Sequence, residues 1–138
     1  MIKNLRHVGI VTKDIESSIL FYETLGFKKT WDKDETGAFI NFILGDDIPG
    51  IRTVKMKTGS IGIELLCFKK NKNIHKEISL TDNIITHFAV EVEDINKIYE
   101  DHKVNFINAP HISPDGKVIV AFMKDPNNNL FLELVEVI

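Results

Sequence analysis

A single cysteine, Cys67, stands among the 138 residues, so no intrachain disulfide can form. Long apolar runs are missing too: none approaches the roughly 20 residues needed to cross a bilayer. Nor does Met1-Ile2-Lys3-Asn4, which runs straight into a strand pattern, carry the apolar stretch of a secretory leader. These lacks set the expectation of a cytosolic protein with no membrane partner. A surplus of positive charge is also lacking. The 17 basic and 20 acidic residues are mixed along the chain and leave a formal net charge of -3, which offers no electrostatic footprint for nucleic acid. The expected partner is therefore a small molecule or another protein. What is present is enough apolar content, 43% of the residues, to build the packed core of one globular unit.

Leu5, His7, Gly9 and Val11 alternate with Arg6, Val8 and Ile10, a period of two that predicts a strand over Leu5 to Val11. Asp14 then offers an N-cap oxygen, Ile15, Ile19 and Tyr22 recur at helical spacing, and Gly26 sits where a left-handed C-cap residue belongs. Phe27 to Asp32 reads as a second strand. Ala38 to Leu44 fits a strand or a short helix, and Gly45 to Gly50 is a loop. Two β-rich runs follow, Ile51 to Lys57 and Ile61 to Phe68, joined by Thr58-Gly59-Ser60 with hairpin chemistry. Lys69 to Asn83 is a polar, lysine-rich linker anchored only by Ile74, Ile78 and Leu80.

Beyond the linker the same order of elements returns. An offset of 80 residues superposes His7 on His87, Gly9 on Ala89, Ile10 on Val90, Asp14 on Asp94 and Ile15 on Ile95. Val54-Lys55-Met56-Lys57 likewise matches Ala121-Phe122-Met123-Lys124, and Ile63-Glu64-Leu65 matches Leu132-Glu133-Leu134. Each half thus reads strand, helix, then three strands. In the second half these are Ile85 to Val92, Ile95 to His102, Val104 to Ala109, Lys117 to Lys124 and Leu130 to Val137. The turn Asp125-Pro126-Asn127-Asn128-Asn129 is expected to use asparagine at a positive φ.

Four polar residues break the apolar pattern at matching places. On the first strand of each half, Val8 and Ile10, or Phe88 and Val90, face the helix, so His7 and His87 face the other way. Small Gly9 and Ala89 leave room beside the imidazoles. Glu64 and Glu133, flanked by core-facing Ile63 and Leu65 or Leu132 and Leu134, project to that same open face. A lone strand histidine is more often a structural residue than a ligand. Recurrence in both halves changes the balance, because a divalent ion needs several convergent nitrogen and oxygen donors. If the strands of each half curve into a trough, the repeat brings His7, Glu64, His87 and Glu133 towards a common centre. His75 in the linker, His102 at a helix end and His111 in a Pro-rich loop lack this support and are expected to be solvated or capping. Cys67 has core-facing parity and reads as a small buried hydrophobe. Trp31 and most of the phenylalanines are assigned to packing; for Phe39 and Phe42 core burial is expected ahead of the alternative, lining a pocket.

His7-Val8-Gly9-Ile10-Val11, Asp14, Phe21-Tyr22-Glu23-Thr24-Leu25-Gly26-Phe27, Ile63-Glu64-Leu65, Thr86-His87-Phe88-Ala89-Val90, Asp125-Pro126 and Leu132-Glu133-Leu134-Val135 together resemble the vicinal oxygen chelate superfamily. That superfamily includes glyoxalase I, methylmalonyl-CoA epimerase, extradiol dioxygenases and antibiotic-resistance proteins. The resemblance covers almost the whole chain. It implies an α+β fold of two βαβββ modules whose curved mixed sheets surround a metal-binding trough. Module one would span about 4–68, the linker about 69–83 and module two about 84–138 of a single domain. It further implies a homodimer, and one divalent metal ion (Ni, Zn, Co, Mn or Fe) held by His7, Glu64, His87 and Glu133.

A fourth ligand at Glu64 is more similar to the glyoxalase I and epimerase group than to the three-ligand dioxygenases or to drug binders without metal. The implied function is an isomerase or lyase that moves a proton next to a carbonyl through a metal-stabilised enediolate, with Glu133 or Glu64 as the base and a carbonyl or thioester compound as substrate. An epimerase-like racemase, a metal-dependent dioxygenase and a non-catalytic binder are the alternatives. Val11, four residues after His7, stands where glyoxalase I enzymes commonly carry an arginine that pairs with a glutathione carboxylate. Weak or absent activity on glutathione hemithioacetals is therefore expected.

Overall fold

The computed structural model describes residues 1, 3–45, 47–70 and 77–138. Asp46 of the expected loop, and Ile74 and His75 of the expected linker, lie outside them. The contacts divide the chain into two compact units, Met1–Ile74 and His75–Ile138.

Module one runs β1 (Val8–Val11), α1 (Ile15–Thr24), β2 (Lys28–Glu35), α2 (Ala38–Leu44), β3 (Ile51–Thr58) and β4 (Ile61–Phe68). Its four-stranded mixed sheet has the order β1-β4-β3-β2, with β1 parallel to β4 and the other pairs antiparallel. Both expected signals for α1 hold. The Asp14 carboxylate accepts from the backbone N–H and the hydroxyl of Ser17, at 3.0 and 2.7 Å, and these bonds hold its carboxyl below the usual aspartate range. At the other end Gly26, at φ 87°, donates to the carbonyl of Glu23, and Phe27 donates to that of Tyr22. This is the Schellman arrangement, sealed by an edge-on contact of the Tyr22 and Phe27 rings.

The helix covers one face of its sheet. Ile10, Ile19, Tyr22, Phe27, Val54, Met56, Ile63 and Leu65 are buried there, each contributing on the order of 1.5–3 kcal/mol. Arg52 ties three elements together at the margin of this face. Its guanidinium donates two parallel bonds of 2.9 Å to Asp32 on β2 and a third to Glu16 on α1. That fork holds the Asp32 carboxyl well below the usual carboxylate range.

Module two runs β5 (His87–Glu91), α3 (Ile95–His102), a 3-10 turn over Lys103–Asn105, β6 (His111–Ile112), β7 (Val118–Lys124) and β8 (Phe131–Val137). Its sheet has the matching order β5-β8-β7-β6, again with the first and last strands parallel. Asp94 caps α3 by accepting from Lys97 N–H, and Glu136 on β8 accepts from Ile95 N–H at 2.8 Å. Ile95, Met123, Leu132 and Leu134 are fully buried beneath the helix.

One open alternative is decided here, and three expectations need correction. Ala38–Leu44 is a helix inserted into the first βαβββ module; it begins at Gly37 with no side-chain cap. Phe39 and Phe42 are 73% and 84% exposed rather than core residues, because six of the seven positions are apolar and a helix of about two turns cannot bury every side. The strand expected over Val104 to Ala109 shrinks to a single bridge between Phe106 and Met123 before β6, with Pro110 interrupting the run. No non-glycine residue among those described has a positive φ. The 125–129 turn closes instead through side chains: the Asp125 carboxylate accepts from Asn127 N–H and the Asn128 amide, and Asn128 accepts from Leu130 N–H.

The Arg52 fork yields a stability prediction. Asp32 has its pKa depressed by folding, so its contribution is complete above the ordinary carboxylate pKa of about 4 and fades as the pH falls below it. Asp32→Asn is expected to cost about 1 kcal/mol at neutral pH. Urea unfolding of both proteins should show that gap closing below about pH 4.

Candidate functional site

The parallel pairing of β1 with β4 places Gly9 opposite Glu64 and Ile10 opposite Leu65. Ile10 and Leu65 go to the helix-covered core, so Gly9 and Glu64 share the other face. His7, two residues before Gly9, lies diagonal to Glu64 on that face, and its Nε2 stands 3.1 Å from Glu64 Oε2. Glycine removes side chains on both sides of the imidazole. A Cβ added at Gly62 would stand 3.8 Å from the His7 Cβ and 3.2 Å from the Arg6 carbonyl oxygen, and one at Gly9 would touch only Leu66.

Module two repeats the register. Ala89 stands opposite Glu133, and His87, two residues earlier, stands opposite Phe131. His87 Nε2 lies 3.5 Å from Glu133 Oε2. The surroundings differ, however. The His87 ring meets Phe122 edge-on with centroids 5.3 Å apart, and its Nδ1 is 3.1 Å from the hydroxyl of buried Thr86. When that hydroxyl accepts from Nδ1–H, Nε2 keeps its lone pair free for a ligand bond.

Each pair fits one edge of a coordination shell. Nitrogen and oxygen donors sit about 2.0–2.2 Å from a divalent ion, and at angles of roughly 90–109° they are about 2.8–3.6 Å from each other. The two observed separations, 3.1 and 3.5 Å, match that edge length. Among the described residues no group of three or more His, Cys, Asp or Glu side chains gathers as a metal site. His7 is thus brought to Glu64 and His87 to Glu133, one couple within each unit.

The other candidates fall elsewhere. His102 ends α3 as expected, and it is not free of partners. His111 is not in a loop but on edge strand β6, opposite Val120, which itself pairs with Val135 two residues beyond Glu133. That register puts His111 on the open face, where a two-residue strand after a proline gave no periodicity to read. Cys67 is half-buried on the core-facing parity, with Sγ 3.8 Å from the Lys13 carbonyl oxygen. Gly62 and Phe122 were missed. The doublet Ile61-Gly62 after a turn carries no signal in one sequence, although the match of Lys55 with Phe122 marks the place where the halves diverge.

Comparison with known proteins follows the same lines. Residues 4–132 match the Glyoxalase/Bleomycin resistance protein/Dioxygenase superfamily. A search of curated protein sequences finds no match. Among solved structures, a glyoxalase family protein from Bacillus cereus shares 16% identity over 100% of this chain and 96% of its own, with a TM-score of 0.89. The trypanothione-dependent glyoxalase I of Leishmania major shares 22% identity over 98% and 87% of the two chains, with a TM-score of 0.67. The fosfomycin resistance protein FosX of Listeria monocytogenes, solved as a mutant with Mn(II) and 1S,2S-dihydroxypropylphosphonic acid, shares 14% identity over 97% and 90%, with a TM-score of 0.63. At these identities the structures establish the fold alone, and it is the sequence match over nearly the full length that assigns the family. The chain belongs to the Glyoxalase/Bleomycin resistance protein/Dioxygenase superfamily.

Proposed function

We propose that this chain is a divalent-metal-dependent isomerase or lyase that moves a proton at a carbon next to a carbonyl, with a small carbonyl or thioester compound as substrate. One observation carries the reading: the same His–Glu couple, set by the same register, stands on the open face of both modules at 3.1 and 3.5 Å. His7, Glu64, His87 and Glu133 are the proposed ligands of one ion. Two neutral imidazoles and two carboxylates balance the charge of a divalent cation and suit Ni, Zn, Co, Mn or Fe. Such an ion, when bound, supplies a Lewis acid that polarises a substrate carbonyl oxygen.

The carboxylates do the rest. Glu64 or Glu133 takes the proton from the carbon and returns it to the product, as a carboxylate within hydrogen-bond reach of the substrate can. Gly9, Gly62 and Ala89 leave the space that such a substrate would fill. Val11, 42% exposed on the same side of β1, offers no charge to a glutathione carboxylate. The glyoxalase I and FosX neighbours support a metal-centred reading without fixing which chemistry this chain performs. A homodimer belongs to the same reading: among the described residues, edge strands β1 and β2, β5 and β6 are each paired on one side only, and a second copy would cover such edges.

Elemental analysis tests the ligand set. The purified protein should carry a stoichiometric divalent metal, and Glu64→Ala or His87→Ala should each lower its affinity by about tenfold or more; unchanged metal content in both variants would place the site elsewhere. The reaction class is tested by proton NMR in D₂O. The expected outcome is exchange of the α-proton of a 2-oxo or thioester substrate, lost in Glu133→Gln or Glu64→Gln. Glutathione hemithioacetals should turn over weakly or not at all, and rapid turnover of these compounds would overturn the role given to Val11.

A further inference from the structure

The open face of module one carries more than the His7–Glu64 couple. In the sheet register Glu64 stands opposite Lys55, and Lys55 stands opposite Trp31. Gly9, Glu64, Lys55 and Trp31 therefore form one row across four strands, all on the side away from α1. Trp31 reaches that side through a register shift between Lys29 and Trp31. Lys29 pairs with core-facing Met56, so regular pairing would set Thr30 opposite Lys55 and turn Trp31 to the core side. The bulge re-aims the indole onto the face of Glu64, as bulges beside functional sites do.

Two ammonium groups lie over the indole. Lys55 Nζ is 4.8 Å from the ring centroid and Lys33 Nζ is 5.6 Å from it. Neither has a carboxylate within 4 Å among the described residues, whereas Lys29 and Arg52 are paired with Asp32. Opposite charges directly across a strand pair normally meet. Here Glu64 is engaged by His7, and the Lys55 ammonium lies on the ring instead. Lysines on an edge strand also discourage aggregation, which accounts for Lys28 and Lys33 on β2. It does not account for Lys55, which sits on interior strand β3.

We propose that Lys55, Lys33 and Trp31 form the seat for an anionic group of the substrate, a carboxylate or a phosphate or phosphonate, on the face that carries His7 and Glu64. The seat rests on the proton-transfer reading only for where the reacting carbon lies. The ring fixes both ammonium groups in place and offers a flat apolar bed, while their N–H donors stay free for an oxyanion. Strand spacing of about 4.8 Å sets Lys55 one strand and Trp31 two strands from Glu64. The substrate class this selects is a small carbonyl compound whose acidic group lies a few bonds from the reacting carbon. In that design the charge is read on β2 and β3, which compensates for the uncharged Val11 on β1.

Trp31 is the only tryptophan, so its emission reports on this seat alone. The full-length protein is titrated with methylphosphonate, inorganic phosphate and acetate at ionic strength held constant with sodium chloride. A saturable change in emission is expected with at least one of them. Saturation by the phosphorus anions alone would name a phosphate or phosphonate, and saturation by acetate alone a carboxylate. Lys55→Gln should raise the half-saturation concentration at least about tenfold, and Lys33→Gln should raise it by a smaller factor, with unchanged circular dichroism in both. Linear, non-saturating curves for all three anions, or curves that are the same in wild type, Lys55→Gln and Lys33→Gln, would overturn the seat. Glu64→Gln separates this outcome from the function reading, since it should abolish α-proton exchange while leaving the anion titration in place.

Discussion

Parallel pairing of the first and last strand of each module, at one fixed register, is the constraint on which the candidate site depends. Gly9 opposite Glu64 and Ala89 opposite Glu133 put a histidine two residues upstream on the same face as the carboxylate. A slip of one residue would turn each glutamate into the core and each neighbouring leucine out to solvent. The register is therefore guarded by burial of Ile10, Ile63 and Leu65 in one module and of Leu132 and Leu134 in the other. Caps at Asp14 and Asp94 fix where each helix begins to cover those residues. The polar residues of the open face owe their geometry to the apolar residues of the covered face.

The modules share this frame and differ in what surrounds the couple. Around His7 lie two glycines, with a lysine and an indole further along the sheet. Around His87 lie Phe122, Phe131 and the Thr86 hydroxyl. The second imidazole thus has an aromatic ring and a hydroxyl beside it where the first has glycines, although both stay exposed.

Much of this was legible in the sequence because parity and spacing report on single elements. Asp14, Gly26 and the alternation around His7 each act within a few residues, and the offset of 80 residues carried the first module's reading to the second. What stayed hidden depends on relations between strands. The bulge beside Thr30 moves Trp31 from an expected packing role to the open face, and nothing in Lys-Lys-Thr-Trp-Asp marks it. His111 gains its place from pairing with Val120, not from its own surroundings in the chain. Phe39 and Phe42 were misread because burial was inferred from side-chain type in a helix apolar on nearly every side.

X-ray absorption at the metal edge tests the central claim, that the two His–Glu couples serve one ion. For protein loaded with one equivalent of Ni or Co, a first shell of nitrogen and oxygen alone is predicted, with the outer-shell scattering of two imidazoles per ion. One imidazole per ion would mean that each module acts by itself, and sulfur in the first shell would move the metal to Cys67; either result would contradict the account.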